Sequence, residues 1–130
     1  MTDKEIIQEI DRHIATLLRR ADARIQKYAL QAAEDFMNFF HWNAGNLYKS
    51  EMEYKYFKEI KSLTKSGDLE EITRKLRGLI SSIEYDILNA SPFGSCTDEI
   101  VNVEHRLQID GKREIRHELQ TLLTIALYRG

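Results

Sequence analysis

Proline occurs once in the 130 residues, at Pro92, and cysteine once, at Cys96. Elsewhere nothing removes a backbone donor or locks φ against helix. A single thiol excludes an intrachain disulfide and a cysteine-built zinc site. It fits a reducing compartment, so the expected location is cytoplasmic. No apolar run is long. The stretch from Leu122 to Tyr128 is interrupted by Thr124, far short of the ~20 residues that span a bilayer. Near the N-terminus, Asp3, Lys4, Glu5, Glu9 and Asp11 stand where a secretory signal requires an apolar stretch. Neither export nor membrane insertion is expected. Neither sign of charge dominates: 19 basic against 21 acidic residues leave a net charge of -2, which argues against a general nucleic-acid coat.

What the chain has is helix signals. Thr2-x-x-Glu5, Ser50-x-x-Glu53 and Asp68-x-x-Glu71 each match the capping box, in which the first side chain accepts from a free amide of the first turn. From Asp3 to about Trp42 the apolar positions Ile7, Ile10, Ile14, Leu17, Ala21, Ile25, Tyr28, Ala32, Phe36 and Phe39 follow one another by threes and fours, a single helical stripe. Asn43-Ala44-Gly45-Asn46 is expected to end it. A second helix is expected over 51–65 with Tyr56, Ile60 and Leu63 inward and Gly67 as its stop. A third follows Asp68 and runs to about Asn89 on Leu69, Ile72, Leu76, Leu79, Ile83 and Ile87. In it, Gly78 and Ser82 form a small-x-x-x-small patch that suggests close approach of another helix. Residues 89–97 form the expected long loop. A fourth helix over 98–107 is favoured over a strand, since Ile100, Val103 and Leu107 share a helical face. Asp110-Gly111 then separates it from a last helix over 112–128 carrying Ile115, Leu119, Leu122 and Ala126.

The expectation is thus an all-α, single-domain, irregular antiparallel bundle of about five helices covering residues 1–130. At this length roughly two thirds of the unfolded surface is buried without metal or disulfide. An uninterrupted first helix would measure ~60 Å at 1.5 Å per residue, twice its neighbours. Either it kinks around 19–23, or half of it projects and pairs its apolar stripe with a second copy as a homodimer seam.

Nine of the twelve aromatic residues lie from Tyr28 to Phe57. They read first as one end of the core. Adjacent Phe39 and Phe40 diverge by about 100° on a helix, so one of them, or Trp42, is expected to face outward. Phe39, Phe40, Trp42 and Tyr48 are therefore the candidate interface, since exposed aromatics anchor protein contacts. Basic residues form two ridges, Arg20, Arg24 and Lys27 on the first helix and Lys58, Lys61 and Lys65 on the second. These read as solvated faces with acidic neighbours, or, if they converged, as a phosphate-binding surface.

Chemistry-bearing patterns are sparse. Glu114-x-x-His117 occurs once, whereas a di-iron bundle needs the pair twice, so no metal or other cofactor is expected. Arg113 and His117 are separated by three residues, closer than the spacing of a helical ribonuclease motif. Arg113, Arg116 and His117 read as an exposed helix face, with RNA cleavage as the alternative. Cys96 precedes a helix, where the peptide dipoles can lower a thiol pKa, and a partly buried loop residue is the simpler role. No catalytic constellation is recognisable and no small-molecule substrate is evident. The functional expectation is a non-catalytic protein-interaction module, with self-association as one form of it. The alternative is a nucleic-acid-associated protein.

Overall fold

Two of the three capping signals start helices in the computed structural model, which describes residues 1–90 and 99–128. Thr2 Oγ1 accepts from the Glu5 amide at 3.2 Å, opening α1 (Asp3–Glu34). Asp68 Oδ1 accepts from the Glu70 and Glu71 amides at 3.1 and 3.2 Å, opening α4 (Leu69–Leu88). Between them lie α2 (Phe36–Trp42) and α3 (Ala44–Thr64), and α5 (Glu99–Leu127) completes the five helices. No strand occurs among the described residues, so the all-α expectation holds.

Three boundaries differ from the sequence reading. The first helix breaks at Asp35 (φ -151°, ψ 87°), not around 19–23. The Asp35 carboxylate accepts from the Asn38 amide at 3.2 Å, which caps a new helix and gives the direction change its own hydrogen bond. The second correction concerns residues 43–46. Only Asn43 separates α2 from α3, and Ser50 lies inside a helix rather than at its start. Its hydroxyl donates to the Asn46 carbonyl one turn back at 2.8 Å. Third, Asp110-Gly111 does not interrupt α5, so the two last helices are one.

The glycines explain part of this. Gly111 is buried, and a Cβ there would stand 3.2 Å from Met52 Sδ. Together with Gly45 on α3, whose Cβ would stand 2.9 Å from Leu107, it marks where α3 and α5 approach closely. Gly78 is exposed with nothing within 4 Å of a Cβ, so the close contact inferred there is absent. Gly67 takes a positive φ of 71°, which glycine adopts without a Cβ penalty, and turns the chain between α3 and α4. Residues 91–98 lie outside the described residues, so the expected loop around Pro92, and Cys96 within it, are not placed.

The four long helices run up, down, up, down. Lys61 on α3 pairs with Asp11 on α1 at 2.8 Å, while Asn43 reaches Gln31 at 2.8 Å, an antiparallel register. Asp86 on α4 meets Lys112 on α5 at 2.8 Å, and Leu69 shares a surface hollow with Leu127, again antiparallel. One continuous core joins Ile6, Ile10 and Ile14 of α1, Phe57 and Ile60 of α3, the buried face of α4, and Ile115, Leu119, Leu122 and Ala126 of α5. Phe57, rather than its neighbour Tyr56, fills the centre from α3. Each of the Ile, Leu and Phe side chains contributes about 1.5–3 kcal/mol on burial. The opposite end, built from residues 22–34 of α1, α2 and the first turns of α3 and α5, is thin. Phe39 is buried there but lies outside the continuous core.

Candidate interaction surface

The thin end carries α2, which is fixed at both ends. Asp35 donates its amide to Gln31 at 2.9 Å and Asn43 donates its own to Phe39 at 2.7 Å. Between these anchors the helix turns one large side chain inward and the rest out. Phe39 is 5% exposed, whereas Phe36, Met37, Phe40 and Trp42 are 62%, 83%, 66% and 68% exposed. The rings of Phe36 and Phe40 are 5.9 Å apart and Trp42 meets the His41 ring edge-on at 4.4 Å. Leu30, on the preceding turns of α1, is also exposed. Scattered exposed leucines are ordinary, but grouped aromatic and methionine side chains at one end of a fold form an interaction-type patch.

Of the four residues expected in this interface, Phe40 and Trp42 face outward and Phe39 does not. Tyr48 is half-buried. Its hydroxyl accepts from Gln108 Nε2 at 3.0 Å and lies 3.3 Å from Glu104 Oε1, tying α3 to α5. Phe36 and Met37 were not singled out by sequence, because an unbroken stripe through residue 39 puts Phe36 inside. The signal available was Asp35 itself, a preferred N-cap residue type standing between apolar positions of the stripe.

The stripe on α1 is occupied within the chain. Ile7, Ile10, Ile14 and Ala21 are buried, and Ile25, Tyr28 and Ala32 are half-buried along the stretch where Arg24 reaches α3 and Gln31 meets Asn43.

The basic ridges lie at different heights. Arg24 donates to Ser50 Oγ at 3.2 Å and pairs with Glu53. Lys61 instead meets Asp11 near the other end of the helix pair. Lys58 Nζ sits 5.8 Å from the Tyr54 ring centre and Lys27 Nζ 5.8 Å from that of Tyr28. Lys65 and Arg20 are exposed.

Two carboxylates are perturbed. The hydrogen bond from Lys61, helped by Thr64, holds Asp11 below its ordinary value against the opposing effect of burial. Burial pushes Glu53 up; Arg24 opposes this, and the nearby Glu114 and Glu118 reinforce it. His13 Nε2 lies 3.6 Å from Glu118, and His105 Nε2 is buried without a hydrogen-bond partner. Among the described residues no group of three or more His, Cys, Asp or Glu could hold a metal ion. No helix there is long and apolar enough to cross a membrane. Comparisons with protein families, with curated proteins and with solved structures found no match for this chain.

Proposed function

We propose that this chain is a non-catalytic helical interaction module that self-associates, a second copy seating its own α2 on Phe36, Met37, Phe40 and Trp42. The carrying observation is the exposed apolar face of α2 at the end where the continuous core is missing. Burying it against an equivalent face supplies the layer of apolar contacts that the single chain lacks there.

Charge favours a second copy as the occupant. Residues 36–42 contain no Lys, Arg, Asp or Glu, so two copies meet about a two-fold axis without like charges at the centre. An antiparallel pairing of two such helices, each ~10 Å long, brings Asp35 at the start of one toward His41 at the end of the other.

Sedimentation across micromolar to millimolar concentration tests this. The expected result is a mass that rises from 15.3 kDa toward twice that value, with Phe40→Asp remaining monomeric. A wild-type chain that stays monomeric throughout overturns the proposal.

A further inference from the structure

A second feature stands on different residues. A cleft of about 500 Å³ opens between α1, α3 and α5, within the ~300–1,000 Å³ typical of small-ligand sites. Leu17 and Phe57 form its apolar floor, and charged side chains from all three helices surround it.

Two of its three carboxylates already have cations. Glu53 pairs with Arg24 and Glu114 with Lys49 at 3.5 Å, while Glu118 lies 3.6 Å from the His13 imidazole. Lys49 reaches Glu114 from outside the lining. Two arginines and a histidine are left over. Arg20 and His117 line the cleft, are exposed, and no side-chain hydrogen bond or ion pair engages them among the described residues. Arg113 has only Asp110, one turn back at 3.6 Å, with both side chains 56% exposed, a geometry worth little in water.

We propose that this cleft binds a phosphate ester, held by Arg20 from α1 and Arg113 from α5, with His117 as a further donor and the Leu17 and Phe57 floor under the ligand's apolar part. Two guanidinium forks on different helices suit a tetrahedral group with three or more acceptor oxygens, whereas one fork already saturates a planar carboxylate. The apolar floor selects a phosphate that carries an organic body.

The test is calorimetric titration and amide-shift mapping of the full chain with three probes: inorganic pyrophosphate, adenosine 5′-monophosphate and a short single-stranded RNA. Saturable binding of the mononucleotide or the RNA, tighter than that of pyrophosphate, is expected, with shifts at Arg20, Arg113 and His117. Arg20→Gln and Arg113→Gln should each weaken it about tenfold, the scale of one lost charge-assisted contact, while Arg77→Gln on α4 leaves it unchanged. A cleft that takes the mononucleotide points to a free nucleotide as the source. One that takes only RNA, with the same arginine dependence, points to a strand. No saturable binding of any probe overturns the proposal, as does binding of pyrophosphate alone or binding that neither cleft arginine affects. These outcomes are read separately from the oligomeric state, which depends on α2.

Discussion

Phe36 and Phe40 stand with ring centres 5.9 Å apart on successive turns of α2, both facing solvent, while Phe39 between them in sequence faces inward. The three therefore separate folding from association. Phe39→Ala is expected to cost about 3 kcal/mol, as for other buried phenylalanines. Phe40→Ser should stay within about 0.5 kcal/mol of the parent. Urea unfolding at low protein concentration measures both, and equal losses would contradict the orientation of α2.

Two mid-helix glycines should respond differently to alanine. Gly78→Ala meets empty space and is expected to stabilise the fold by about 0.5–1 kcal/mol through helix propensity and a less disordered unfolded state. At Gly111 the new methyl would press on Met52 Sδ at 3.2 Å, so Gly111→Ala should fall at least about 1 kcal/mol short of the Gly78 variant. Thermal or urea unfolding of the pair decides the matter.

Asp11 and Glu53 predict opposite pH dependences. The Asp11 carboxylate, held down by Lys61 and Thr64, favours folding above its ordinary value of 3.8. That contribution fades as pH falls through its lower folded value. Asp11→Asn should therefore destabilise at neutral pH by about 0–1 kcal/mol, since the pair is partly solvated, and converge on the parent in acid. Glu53, raised by burial, behaves in reverse. Its burial costs nothing below the ordinary 4.5, and stability is lost as pH rises from there through the raised folded value. The stability of Glu53→Gln relative to the parent should thus climb as pH rises through that window and then level off. Urea midpoints at a series of pH values read both curves.

Much of the fold was legible because its signals are local. Thr2 and Asp68 cap where the pattern places them, and the stripes of α4 and the second half of α5 become core almost residue for residue. The errors share a cause: a local signal was outweighed by a tertiary contact. Ser50 looks like a cap, yet it serves mid-helix, taking a hydrogen bond from Arg24 across the α1–α3 interface. Asp110-Gly111 looks like a break, yet Gly111 is the residue that lets α5 lie against Met52. Gly78 invited a close neighbour that no helix supplies. The aromatic concentration marks the end of the molecule that carries α2. Which rings face out depended on the Asp35 break, which rotates α2 relative to the stripe of α1. Arg113 and His117 stood out in the sequence one turn apart, and Arg20 in a separate ridge, but the cleft between α1, α3 and α5 did not, because only the packing brings Arg20 to the other two.

Trp42 is the chain's sole tryptophan and lies in the exposed face of α2, so its fluorescence reports on that surface without a label. The most direct measurement is its emission maximum and acrylamide quenching across a dilution series spanning micromolar to millimolar chain. Self-association through α2 predicts a blue shift and reduced quenching as concentration rises, both lost in Phe40→Asp. Emission that stays red and fully quenchable at every concentration would contradict it.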